Sequence, residues 1–222
     1  MFPLRDDRPT YTAPVVTTLL IVACALVFFY ELSLDEYSRD YFINRYGLVP
    51  AHMRLLTLVT SMFLHGGWLH IIGNMLFLWA FGKSLEDAMG HSKFLAFYLM
   101  CGVAAGIAHV ALNLYTTLPT VGASGAIAGV MGAYLVKFPR AKIHTLVFLF
   151  IFVTMADIPA AFILVYWFIT QLFSEYGSIS QTQVVNGGVA YAAHIGGFIS
   201  GMILVQFMGV RTRYFPRRDI YW

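Results

Sequence analysis

The most restrictive feature of this 222-residue sequence is a series of apolar runs, most of them close to the length of a transmembrane helix. With 59% hydrophobic and 11% charged residues and a mean hydropathy of +0.72, the chain lies outside the soluble globular range. We therefore predict an all-α polytopic membrane protein, a single domain over residues 1–222 with short tails. The six predicted transmembrane helices lie at Ala13 to Leu32, Phe63 to Gly82, Phe94 to Leu114, Ser124 to Phe138, within Ile143 to Ser174, and Val189 to Met208.

The basic residues indicate how these helices are oriented. Cytoplasmic loops of membrane proteins carry an excess of Lys and Arg. If both termini are cytoplasmic, only Arg39, Arg45 and Arg54 lie outside, and the other basic residues lie inside: Arg5, Arg8, Lys83, Lys93, Lys137, Arg140, Lys142, Arg211, Arg213, Arg217 and Arg218. The first run is too long for a signal peptide and lacks a small-residue cleavage site, so we expect it to be retained.

Two of the runs depart from simple membrane spans. The fourth, counted from Ser124 to Lys137, gives roughly 21 Å of helix at 1.5 Å per residue, against a hydrocarbon core of about 30 Å. We therefore predict a short central fourth helix. The fifth run is interrupted by Asp157 and Pro159, so we interpret it as a partly buried entry segment followed by a helix from about Pro159.

The polar residues inside these runs are few, and they fall at one depth. His70 and Asn74 share a face of the second helix, Ser124 opens the fourth, and His194 lies near the start of the sixth. In the predicted orientation all three helices run from outside to inside, so these side chains meet near the outer side. Polar groups in hydrocarbon are costly unless paired or facing a cavity, which makes them functional candidates.

Small residues predict that the fourth and sixth helices pack closely. Gly125 and Gly129 are four apart, and Ala193, Gly197 and Gly201 form a matching stripe beside His194. Such patterns let two helix backbones approach each other. Close packing of these helices would bring serine and histidine together.

The residue types predict nucleophilic catalysis. Histidine is the usual base that activates a serine hydroxyl, so Ser124 and His194 would form a dyad. Asn74, His70 and the backbone N–H of Ser124 can donate to an oxyanion. Alone, Gly-x-Ser-Gly is more often a packing element. A metal site at His65, His70 and His194 is the weaker alternative because no carboxylate or HExxH motif accompanies it, and we predict neither metal nor cofactor.

Three motifs together resemble the signatures of rhomboid proteases. They are His65-Gly-Gly-Trp-Leu-His70-Ile-Ile-Gly-Asn74, Gly122-Ala-Ser124-Gly125-Ala-Ile-Ala-Gly129 and Ala193-His194-Ile-Gly196-Gly197. The resemblance implies a six-helix bundle, cleavage of transmembrane protein substrates near their outer ends, a Ser124/His194 dyad, oxyanion donors at His70 and Asn74, and no cofactor. It also matches Glu86 to a structural acidic position.

The chain departs from the family pattern at two places. Leu56-Thr57 replaces a Trp-Arg pair of the first loop, and Ala128 stands where some members have a tyrosine stacking on the histidine. Neither change removes a catalytic group. The alternatives are a rhomboid-like binding protein without activity and a small transporter, although no inverted repeat or chain of intramembrane carboxylates is present.

The remaining expectations concern partners and neighbouring residues. The partners are transmembrane substrates and the lipid bilayer, and the net charge of +3 needs no nucleic acid to explain it. The oligomeric state is left open. We expect Cys24 and Cys101 to be free, His109 to be structural, and Trp68 and Trp167 to be membrane-interface anchors. No carboxylate is expected to complete a triad, and Asp157 should lie far from His194.

Overall fold

The computed structural model describes residues 2–149, 152–180 and 190–210. Short 3₁₀ turns lie at Pro50–His52 and Ser61–Phe63. The elements in chain order are β1 (Phe2–Asp6), α1 (Val15–Ser33), α2 (Glu36–Tyr46), α3 (Thr57–Thr60), α4 (Trp68–Met89), α5 (His91–Leu112), α6 (Ser124–Lys137), β2 (Lys142–Leu149), β3 (Phe152–Pro159), α7 (Ala160–Ser180) and α8 (Tyr191–Leu204).

The structure is mostly helical, as predicted, but it also contains a small antiparallel sheet that the all-α prediction left out. Strands β2 and β3 form a hairpin, and β1 pairs with the outer edge of β2 in the order β1-β2-β3. The sheet forms because β2 alternates, burying Ile143, Thr145 and Val147 while the residues between them stay more accessible. The predicted entry segment before the fifth helix is therefore a strand pair, and the helix itself begins at Ala160, close to the predicted Pro159.

The helices lie where the apolar runs were predicted, but they do not all qualify as membrane spans. Each of the six runs contains a helix in the described part of the chain. Among the described residues, only α1 and α5 are both long and apolar enough to cross a membrane, and shorter apolar helices lie at Ser124–Lys137, Ala160–Tyr176 and Tyr191–Leu204. Helix α4 has 22 residues but runs past Gly82 to Met89, so its last turns carry charged side chains. The count of six spans stays a prediction.

Buried carboxylates of the first strand and of α4 hold the N-terminal segment in place. Asp6 accepts a hydrogen bond of 2.6 Å from the Tyr134 hydroxyl of α6 and lies 3.5 Å from the Lys83 ammonium. Glu86 of α4 accepts from the backbone N–H groups of Val16 and Thr17, both at 2.8 Å. These N–H groups belong to the first turn of α1, where a negative charge stabilises a helix. Glu86 thus has the structural role that the resemblance implied.

Helix α6 lies among α4, α5, α7 and α8, and every residue from Gly125 to Tyr134 is buried. Its small residues allow this enclosure. A Cβ on Gly197 of α8 would lie 2.0 Å from the carbonyl oxygen of Gly125, and a Cβ on Gly201 would lie 2.0 Å from that of Gly129. The predicted close approach of these two helices is therefore confirmed, and it fixes how their side chains align.

Candidate active site

Two helix starts bring a serine and a histidine into hydrogen-bond contact. Ser124 is the first residue of α6, and His194 lies in the first turn of α8. The Ser124 hydroxyl oxygen lies 2.8 Å from Nε2 of His194. The imidazole of His194 is buried, and Ser124 is half-buried. This contact results from the packing of Gly125, one residue after Ser124, against Gly197, three residues after His194.

The second ring nitrogen of His194 also has a partner, which the sequence reasoning missed. Nδ1 lies 2.7 Å from Oε1 of Gln171 on α7. The sequence did contain a signal, because a polar side chain inside an apolar helix is itself a functional candidate. Trp167, which was predicted to be a membrane-interface anchor, packs beside the site, because its ring centroid lies 5.6 Å from that of His194 and 6.0 Å from that of Phe198.

Helix α4 places two polar side chains, His70 and Asn74, beside Gly122, two residues before Ser124. The backbone N–H of Gly66 donates to Nδ1 of His70 at 3.3 Å, so the hydrogen of a neutral His70 imidazole lies on Nε2. The Nδ2 amide of Asn74 is buried and has no hydrogen-bond partner among the described residues. A buried amide without a partner is costly, and functional sites are where such groups are retained.

Gly122 gives these donors room. Its φ of +126° is one that glycine adopts readily and other residues do not. A Cβ at this position would also lie 2.7 Å from Nε2 of His70 and 3.6 Å from Nδ2 of Asn74. The backbone is held by the hydrogen bond from Gly122 N–H to the Ser61 carbonyl at 2.9 Å. Both donors therefore face the turn that leads into Ser124.

A cavity of about 30 Å³ adjoins the serine, which is enough volume for a water molecule. Its lining includes Ser61, His109, Thr120 and Ser124. His109, expected to be structural, has its Nε2 2.8 Å from the Thr120 hydroxyl and its carbonyl bonded to the Asn113 amide at 2.9 Å.

A second polar cluster lies behind His70. Glu31 of α1 is fully buried, and its Oε2 is 3.5 Å from the backbone N–H of His65. The ring of His65 is also fully buried, with its centroid 5.3 Å from that of His70. The predicted second helix, Phe63 to Gly82, included His65, and Glu31 was not among the candidate residues. The structure places His65 before α4, packed between α1 and His70.

These features define a mainly helical protein with long apolar helices and a hydrogen-bonded serine-histidine pair. The Rhomboid domain matches residues 52–211, so the chain belongs to the rhomboid family. Members of this family are integral membrane proteins, and the family includes intramembrane serine proteases. The resemblance seen in the three motifs is thereby confirmed at the level of the family.

Several rhomboid-named proteins are similar to the chain. It is 32% identical over 153 residues to Rhomboid protein 1, mitochondrial, of Saccharomyces cerevisiae, covering 67% of this chain and 40% of that protein. It is 30% identical over 143 residues to Presenilin-associated rhomboid-like protein A, mitochondrial, of Danio rerio, covering 63% and 35%. It is 34% identical over 143 residues to Putative rhomboid protease YdcA of Bacillus subtilis, covering 61% and 69%. The chain thus spans less than half the length of the first two relatives.

Proposed function

We propose that this chain is an intramembrane serine endopeptidase that cleaves transmembrane segments of other membrane proteins near their outer ends. The observation that carries the proposal is the 2.8 Å contact between the Ser124 hydroxyl and Nε2 of His194. Membership of a family that includes such proteases supports it. The termini are assigned to the cytoplasmic side, and the site opens to the outer side, because most of the basic residues then lie inside.

The proposed reaction has two covalent steps. Nε2 of His194 takes the proton of Ser124 as its oxygen attacks the scissile carbonyl carbon, and the imidazolium then gives that proton to the leaving amine. The acyl-enzyme is hydrolysed when His194 takes a proton from a water molecule and returns it to the Ser124 oxygen. The cavity that adjoins Ser124 is large enough to hold such a water molecule. No cofactor or metal enters the reaction.

The oxyanion donors are assigned to His70, Asn74 and the backbone N–H of Ser124. The support for Asn74 is its buried Nδ2, which has no partner within the described ranges, and the support for His70 is the Gly66 N–H, which leaves the ring hydrogen on Nε2. The N–H of Ser124 is one of the free donors at the start of α6. A preorganised donor of this kind contributes roughly 3 to 4 kcal/mol to the transition state.

The test combines an active-site probe with a protease assay. Purified protein in liposomes is treated with a fluorophosphonate and, separately, with a transmembrane substrate. We expect wild-type protein to be labelled and to cleave, and Ser124→Ala to do neither while keeping its melting temperature. His194→Ala should be as inactive as the double variant, because members of one catalytic unit are not additive.

Ser200→Ala is the matched control. Ser200 lies on α8 with its hydroxyl bonded to the Gly197 carbonyl at 2.8 Å, so the variant loses a half-buried serine without touching the dyad. It should be labelled at the wild-type rate. A wild-type protein that is folded, unlabelled and inactive would contradict the proposal and favour a rhomboid-like binding protein.

A further inference from the structure

We infer that Gln171 is the positioning residue of the dyad, holding His194 in the tautomer and orientation that let it act as a base. The inference rests on the proposed function, because it assigns the third member of the same site. Sequence reasoning predicted that no carboxylate would complete a triad. The group on the far side of the imidazole is an amide instead.

The imidazole of His194 is held between two side chains. Ser124 lies 2.8 Å from Nε2, and Oε1 of Gln171 lies 2.7 Å from Nδ1. In a neutral imidazole one nitrogen donates and the other accepts. The direction of the Gln171 contact therefore decides whether Nε2 can take the proton of Ser124.

The orientation of the Gln171 amide is fixed by its neighbours on α7. The Thr170 hydroxyl donates to the Trp167 carbonyl at 2.6 Å, which uses its only hydrogen. Its oxygen can then only accept, and it lies 3.3 Å from Nε2 of Gln171. The amide NH₂ group of Gln171 therefore belongs on the Thr170 side.

It follows that Oε1 of Gln171 faces His194 and accepts from Nδ1–H. The lone pair of the imidazole then lies on Nε2, directed at the Ser124 hydroxyl. A flipped amide would place a donor against Nδ1 and move the imidazole hydrogen to Nε2, which would remove the base. The chain of hydrogen bonds from Trp167 through Thr170 to Gln171 thus selects the competent tautomer.

Packing on the ring also comes from α7. The Trp167 ring lies 5.6 Å from the imidazole at an interplanar angle of 36°. Position 128 of α6, where some rhomboid proteases have a tyrosine, is an alanine here. Gln171 and Trp167 therefore contact the imidazole of His194 from one helix, α7. Because glutamine is neutral, it orients the base without supplying the negative charge of an aspartate triad.

Gln171→Met tests this role because it keeps the length of the side chain and removes the acceptor. The second-order rate of fluorophosphonate labelling and the kcat for a transmembrane substrate should each fall about tenfold, the scale of one lost hydrogen bond. KM should change less than about twofold, because uniform substrate binding is untouched. Gln206→Met, the same change at an exposed amide that bonds Lys137, is the control and should be neutral.

Two further variants separate positioning from folding. Gln171→Glu restores an acceptor and adds a charge that favours the imidazolium, so it should recover most of the rate lost in Gln171→Met. Its pH–rate profile should have an acid limb displaced to higher pH than in wild type. Thr170→Val keeps Gln171 but frees its amide to flip, and should lower the labelling rate without altering KM.

Each outcome decides the matter. The inference is overturned if folded Gln171→Met is labelled at the wild-type rate. It is also overturned if Gln171→Met and Gln171→Glu lose the same labelling rate and the acid limb of the pH–rate profile does not move, which would indicate a structural role. If wild-type protein itself is not labelled, the proposed function fails instead. If wild type is labelled, Ser124→Ala is not, and Gln171→Met behaves as wild type, only the role of Gln171 is refuted.

Discussion

A single methyl group added at Gly197 should separate the serine from the histidine. A Cβ there would lie 2.0 Å from the carbonyl oxygen of Gly125, whereas carbon–oxygen contacts between packed helices are about 3.3 Å or longer. Gly197→Ala therefore requires α6 and α8 to move apart locally by about 1.3 Å. The contact of 2.8 Å between Ser124 and His194 would lengthen to about 4 Å, beyond hydrogen-bond reach.

The expected result is a large loss of activity with a moderate loss of stability. A displacement of about 1 Å at a catalytic contact can cost on the order of a hundredfold in rate. Overpacking a well-packed core costs about 1 to 3 kcal/mol, which leaves most molecules folded. The fluorophosphonate labelling rate, corrected for the folded fraction from a thermal melt, should therefore fall about a hundredfold.

Two other glycines provide controls for this experiment. A methyl group added at Gly73 of α4 would have no atom within 4 Å, so Gly73→Ala should lose neither stability nor rate. A Cβ added at Gly201 would lie 2.0 Å from the carbonyl oxygen of Gly129, about two helical turns from His194. Gly201→Ala should therefore lose as much stability as Gly197→Ala, but its labelling rate should fall less. If Gly197→Ala is labelled at the wild-type rate, the helix contact does not set the dyad distance.

The remaining predictions concern three polar side chains. Asn74→Ala should lower kcat roughly a hundredfold with a smaller change in KM, because it removes an oxyanion donor, and a loss confined to KM would reassign it to substrate binding. Asp157→Asn should keep most activity in liposomes, because Asp157 bonds His144 across the hairpin and Nδ1 of His194 is already occupied by Gln171. A fall in turnover of about four orders of magnitude in a folded protein would refute this. Glu86→Gln should lower stability by about 1.5 to 3 kcal/mol in a thermal melt, with unchanged activity per folded molecule, because a charged acceptor at the start of α1 is lost.

The sequence predicted the helices well because the free energy of burying an apolar run depends on its own residues. Local spacing predicted the helix that begins at Ser124 and the glycine stripes of α6 and α8, and the structure confirms that these helices pack closely. The sheet was missed because hydropathy does not distinguish an apolar strand from an apolar helix. Its first strand, β1, pairs with a segment about 140 residues away, which no local pattern reports.

The sequence by itself determined the membrane class of the chain, the positions of its helices and the polar residues worth considering as a site. Only the tertiary structure decided which side chains meet. It places Gln171 against Nδ1 of His194, packs Trp167 on the same ring, and lets Glu86 accept a hydrogen bond from a backbone N–H at the start of α1. The physical reason is range. Helix formation and apolar burial are governed by neighbours along the chain, whereas a hydrogen bond between helices depends on the rotation and depth of both, which are set by the packing of the whole bundle.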